Sequence, residues 1–198
     1  MSLKIAILSG SSRPNNNTHR VALALQRISH ESGATAHLVD FKQYDIPFLN
    51  QGELHPNNLS AFQKELVDSI DGADLVIFVS PEYNWFPSAE LINMIHQLGK
   101  GVFRHLFDKK TFAFVGVSTG RGGRVPTIQL SYVIDKLINV FATHSITCPK
   151  KFESQFTTQV LNENGESLGN TEYDKGLEQF VSYSIDLATK WSHLHHSN

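Results

Sequence analysis

The 198-residue chain contains a single cysteine, Cys148, so no intrachain disulfide and no Cys-x-x-Cys pair can exist. It has no apolar run long enough to cross a bilayer. "MSLKIAIL" opens directly into a strand pattern, which leaves no room for a targeting segment and makes a cytoplasmic location the expectation. An excess of one charge is also missing. Seventeen Lys and Arg face nineteen Asp and Glu, a formal net charge of −2, so no global field draws nucleic acid or an anionic membrane. The glycines form neither G-x-G-x-x-G after the first strand nor a Gly-Lys-Ser/Thr P-loop, which excludes the two commonest phosphate-binding signatures. What is present suits a compact globular chain: 40 % hydrophobic and 18 % charged residues, read as one domain over 1–198. The closing "HLHHSN" has no rigid frame to organise a metal site, so residues 193–198 are expected to fray and no metal is expected.

Four apolar runs read as buried strands: Lys4 to Leu8, Thr35 to Phe41, Asp74 to Ser80 and Thr111 to Ser118, with "HSITCP" a weaker fifth. Helical spacing lies between them. Val21, Leu25 and Ile28 share a face after Thr18, the expected N-cap. Leu59, Phe62, Leu66 and Ile70 follow near Ser60, then Leu91, Ile95 and Leu98, then Ile128, Val133, Leu137 and Phe141 behind Pro126. A last helix runs from about Tyr173 to His193. Alternating strand and helix predicts a doubly wound, three-layer α/β fold with a parallel sheet. Two connections stand out: the long Lys42 to Asn58 segment, and Val160 to Asn170 with its Asn164-Gly165 turn.

In such sheets ligands bind beyond the carboxyl ends of the strands, where strand order reverses. After the first strand comes "SGSSRPNNNTHR". Ser11, Ser12 and Thr18 offer hydroxyls, Asn15, Asn16 and Asn17 offer amides, and Arg13 offers charge beside a helix N-terminus. No carboxylate falls between Lys4 and Glu31. That set suits a terminal monophosphate; the plainer alternative is a polar turn and cap. After the third strand, Pro81, Glu82, Tyr83, Asn84 and Trp85 suit the edge and face of a planar ring, or else cover the core edge or an oligomer contact. After the fourth, Ser118, Thr119, Gly120, Gly122 and Gly123 let backbone approach a ligand, with Arg121 and Arg124 at the mouth; a merely flexible glycine loop is the alternative.

"GSSRPNNNT", "PEYNWFPSAELIN" and "STGRGGR" together resemble the NADPH-dependent FMN reductase family, flavodoxin-like flavoproteins that include quinone, chromate and azo-dye reductases. The likeness covers most of the chain, including Ile46-Pro47-Phe48 and the late Asn164-Gly165 turn. Gly10, Ser11 and Arg13 match the family's Gly-Ser-x-Arg phosphate loop, with Thr18 its closing hydroxyl. Pro81 to Asn84 match the Pro-Glu-Tyr-Asn signature beside the isoalloxazine, and Ser118 to Gly123 match Ser-x-Gly-x-Gly-Gly. Leu91 and Asn93 keep the family's next motif, but Ile92 and His96 replace a lysine and an aspartate that usually serve helix or subunit contacts.

The resemblance implies a flavodoxin-like five-stranded parallel sheet, non-covalent FMN, NADPH or NADH as co-substrate, and a homodimer or homotetramer with flavin near the subunit contact. It implies hydride transfer from NAD(P)H to FMN and on to a small-molecule acceptor: a free flavin, quinone, azo compound or metal oxyanion. No side chain is assigned as general acid or nucleophile, because the flavin carries the chemistry. The alternative is a flavodoxin-like electron carrier or redox-sensing FMN module, a role usually accompanied by stronger acidity than −2. Ile46, Phe48 and Leu54 are expected to meet Trp85 and Phe86 across a subunit contact, and Arg121 and Arg124 to favour NADPH.

Overall fold

The computed structural model describes residues 2–196 of the chain. Strands β1 (Lys4–Ser9), β2 (Thr35–Asp40), β3 (Leu75–Pro81) and β4 (Thr111–Val117) are joined by helices α1 (Asn17–Glu31), α2 (Ala61–Asp71) and α3 (Ala89–Leu98). Helix α4 (Arg124–Phe141), short strands β5 (Ile146–Thr147) and β6 (Phe152–Ser154), a single turn α5 (Thr157–Val160) and helix α6 (Thr171–His196) complete the order. All strand pairs are parallel, in the sequence β2-β1-β3-β4-β5, with β6 also on β4. The expected fifth strand is therefore two pieces sharing one edge: β5 beside Thr111 and Phe112, β6 beside Val115 to Val117. Pro149 between them has no N–H to give the ladder.

Period-two alternation divides the core. Ala6, Leu8, Val76, Phe78, Phe112 and Phe114 face α2, α3 and α4, whereas Ile5, Ile7, Leu75, Ile77, Ala113 and Val115 face α1 and α6. The first face carries the rings, with Phe78 and Phe114 stacked at 5.6 Å. The second is lined by smaller groups, and α1 sets Ala22 and Ala24 among them. These strands are buried on both faces, which is why they read as unbroken apolar runs.

Caps fix where the helices begin. Ser60 and Gln63 form a reciprocal capping box on α2, and the Ser88 hydroxyl accepts from Leu91 N–H on α3. On α1 the cap is Asn16, whose Oδ1 accepts from His19 N–H at 2.8 Å. Thr18, the expected cap, instead lies inside the first turn. Helix α6 continues to His196, and the rest of the tail expected to fray lies outside the described residues.

The long connection is strapped to α3. Asn93 Nδ2 donates to the Tyr44 hydroxyl (2.7 Å) and Pro47 carbonyl (3.0 Å), while Gln97 Nε2 donates to the carbonyls of Pro47 and Gly52. The strap turns Ile46 and Leu54 into the chain's own core. They are therefore unavailable to a subunit contact, and of this segment's large hydrophobic residues only Phe48 and Leu49 stay exposed. The Val160 to Asn170 excursion packs on α1, where Arg20 meets Glu163 at 3.6 Å.

Burial lifts two phenols, Tyr44 and Tyr173, from the usual 10 to about 12. An acid whose folded pKa is raised gives its full stability below the unfolded value and loses it as pH climbs from about 10 toward 12. Denaturant midpoints should therefore stay level up to about pH 9 and fall above about pH 10. Replacing both tyrosines by Phe should flatten that fall; an unchanged slope would show that neither phenol drives it.

Candidate functional site

Chain order reverses between β1 and β3, and the loops after these strands meet over that crevice. Gly10 donates to the Val79 carbonyl (2.9 Å), and a Cβ on it would lie 2.3 Å from Leu91 Cδ1, so only glycine lets α3 approach. Ser11 Oγ and the Tyr83 hydroxyl share a hydrogen bond of 2.9 Å, and Ser12 Oγ donates to Glu90. The Arg13 guanidinium carbon sits 4.2 Å from the Tyr83 ring centroid, a cation–π contact that holds its charge over the crevice.

Asn16 organises the first loop. Besides capping α1, its Nδ2 donates to the carbonyls of Arg13 (2.7 Å) and Ser11 (3.4 Å). Its side chain is thus spent on the loop and not offered to a ligand. The N–H groups of Ser12, Asn17 and Thr18, and the hydroxyl of Thr18, meet no protein acceptor among the described residues. Together with Arg13 they gather donors at the positive end of a 15-residue helix.

The second loop is a two-residue hairpin. Tyr83 N–H donates to the Phe86 carbonyl (2.9 Å) and Phe86 N–H to the Tyr83 carbonyl (3.0 Å). Asn84 and Trp85 between them have φ of +48° and +67°, as a type I′ turn requires. Asparagine tolerates that region; tryptophan is an outlier there, and this one is 69 % exposed. The Glu82 side chain turns away from the crevice, its carboxylate accepting the Gly123 N–H at the start of α4. Glu82 therefore ties the second loop to the third.

The third loop is held from behind. Thr157 Oγ1 donates to the Ser118 carbonyl (3.2 Å), Phe156 N–H to that of Gly120 (3.2 Å) and Gln155 Nε2 to that of Gly122 (3.2 Å). Alternate carbonyls are consumed in this way, while the N–H groups of Thr119 and Arg121 have no protein acceptor among the described residues. Ser118 Oγ accepts from Gly120 N–H. A Cβ on Gly116 would fall 1.8 Å from the Gly123 carbonyl oxygen, so the loop folds directly back over β4. Arg124 pairs with Glu153 at 3.3 Å, leaving Arg121 as the unpaired arginine at the mouth. Nothing in the sequence pattern had marked Gln155, Phe156 or Thr157, because their contacts to this loop span more than thirty residues.

A protein-family model described as NADPH-dependent FMN reductase matches residues 3–148. The chain belongs to this family. It is accordingly an FMN-dependent NAD(P)H oxidoreductase, with a nicotinamide nucleotide as co-substrate. A search of curated proteins finds no match. Among solved structures, FerB, a flavoenzyme NAD(P)H:(acceptor) oxidoreductase from Paracoccus denitrificans, superposes with TM-score 0.74 at 19 % identity, over 95 % of this chain and 98 % of that one. RosB, solved with 8-demethyl-8-formylriboflavin-5′-phosphate, gives 0.68 at 13 % identity over 97 % and 81 %. A flavodoxin, WrbA-like protein from Agrobacterium tumefaciens gives 0.58 at 17 % over 96 % and 99 %. At such identities these likenesses establish the flavodoxin-like fold.

The chemistry of the crevice fits FMN: among the described residues it gathers hydroxyl and N–H donors without protein acceptors, one arginine and a donor-bearing glycine loop. The described residues contain no cluster of His, Cys, Asp or Glu able to hold a metal.

Cap and ligand roles separate by mutation. Asn16→Ala should lower stability by about 1 kcal/mol through the lost cap. Thr18→Val should leave the melting temperature nearly unchanged and weaken FMN about tenfold, while riboflavin binding stays constant. Equal weakening of both flavins would place the phosphate elsewhere.

Proposed function

We propose that this protein is a quinone-reductase type enzyme that passes hydride from NAD(P)H through FMN to small planar acceptors. The acceptors are quinones, free flavins or azo compounds, with metal oxyanions as further electron sinks. The observation that carries this reading is the convergence of three loops whose outward groups are donors. When bound, FMN supplies hydride acceptance and release. Arg13, the Thr18 hydroxyl and the first N–H groups of α1 hold its phosphate. The backbone from Pro81 to Asn84 would lie beside its ring, and the Tyr83 ring holds Arg13 through the cation–π contact. The N–H groups of Thr119 and Arg121 would donate to an electron-rich edge of the bound flavin and so favour its reduced, more negative form.

Arg121 is the residue available for the 2′-phosphate of NADPH, since Arg124 is engaged with Glu153. The assembly in this reading is a homodimer or homotetramer. Val125, Ile128 and Tyr132 form an exposed stripe on α4, and Phe48, Leu49, Trp85 and Phe86 are exposed beyond it. No helix among the described residues is long and apolar enough to cross a membrane. The lone buried Cys148 suits a reducing cytoplasm.

Steady-state oxidation of NADPH with a soluble quinone tests the reading. Turnover is expected, with dimers or tetramers in sedimentation at micromolar concentration. Bleaching of bound flavin by NADPH without turnover on quinone would indicate an electron carrier instead. Arg13→Ala should weaken FMN by about 1.5–3 kcal/mol relative to riboflavin, the worth of a charge-assisted contact. Arg121→Gln should raise KM for NADPH and leave that for NADH unchanged; equal rises for both would remove the 2′-phosphate role.

A further inference from the structure

Phe156 lies beyond the 3–148 segment that defines the family, in the link between β6 and α5. Its φ is +47°, a region that bulky side chains rarely occupy, and the residue remains 38 % exposed. Neither feature helps the fold: a glycine or asparagine would take this backbone with less strain, and an exposed ring adds little to the core. Strain of this kind persists only where surrounding structure imposes it.

The imposing structure is visible on both sides. Ser154 and Thr157 are fully buried, and the Ser154 hydroxyl bonds to Thr157 Oγ1 (2.9 Å) and the Tyr173 hydroxyl (2.8 Å). Phe156 N–H is itself bound to the Gly120 carbonyl, with Gln155 and Thr157 gripping Gly122 and Ser118 on either side. The backbone of Phe156 is therefore held in fixed register with the glycine loop. Above that loop there is room, since a Cβ built on Gly120 meets no atom within 4 Å.

We infer that Phe156 is a specificity-determining residue, the apolar wall against which the planar ring of the hydride-exchanging substrate rests beside the flavin. The inference depends on the FMN oxidoreductase reading above. Its ligand chemistry is a flat conjugated ring, supplied by the nicotinamide in one half-reaction or by a quinone in the other. A compact inorganic acceptor has no flat face to offer and should be indifferent to this wall.

The test compares wild type, Phe156→Gly and Phe156→Tyr, each loaded with FMN. For Phe156→Gly, KM for a planar quinone should rise about 2- to 10-fold, as expected for a lost aromatic contact, with KM for ferricyanide unchanged. A parallel rise in KM for NADH would assign the wall to the nicotinamide as well; an unchanged one assigns it to the acceptor. The FMN dissociation constant should not move, and the melting temperature should hold or rise as strain is released. Phe156→Tyr should retain the wild-type KM values. Unchanged quinone and nicotinamide KM values in Phe156→Gly, or equal shifts for quinone and ferricyanide, would overturn the inference. Wild-type protein that turns over with neither acceptor would instead refute the oxidoreductase reading, and this inference with it.

Discussion

The site depends on how the backbone groups at the carboxyl edge of the sheet are divided. Carbonyls are consumed inside the protein: those of Ser11 and Arg13 by Asn16 Nδ2, those of Ser118, Gly120 and Gly122 by Thr157, Phe156 and Gln155. The intervening N–H groups of Ser12, Thr119 and Arg121 meet no protein acceptor among the described residues. A crevice rich in donors and poor in acceptors suits a phosphate and an electron-rich ring edge, as the proposed FMN site requires.

The arrangement requires the loops to be locked to one another. Tyr83 joins the first two through Ser11 and Arg13, and the Glu82 carboxylate joins the second to the third through Gly123. Behind them the sheet supplies rigidity, with a ring-filled core on one face and a closely packed α1 on the other. Strain collects at this edge. Asn15, Asn84, Trp85 and Phe156 all take positive φ in the loops beyond the strands, and two of them are large aromatics.

Much of this was legible in the chain. Strands buried on both faces announce themselves as unbroken apolar runs, and the polar and glycine-rich loops follow them directly. The cap on α1 was misplaced by two residues, because Asn16 and Thr18 carry similar capping chemistry and only the fold shows which reaches His19 N–H. Ile46 and Leu54 look in sequence like contact residues, but hydrogen bonds from Asn93 and Gln97 that cross about 45 residues pull their segment into the core. The brace at Gln155 to Thr157 was invisible for the same reason. Polar side chains that bond to distant backbone leave no periodic trace in sequence.

Amide hydrogen exchange, with and without FMN, tests the donor-lined crevice most directly. FMN should slow exchange at Ser12, Asn17 and Thr18 and also at Thr119 and Arg121, with little change at Gly123, whose N–H is already bound to Glu82. Protection confined to one loop, or protection at Gly123 with none at Thr119 and Arg121, would contradict a site built from the unpaired donors of both.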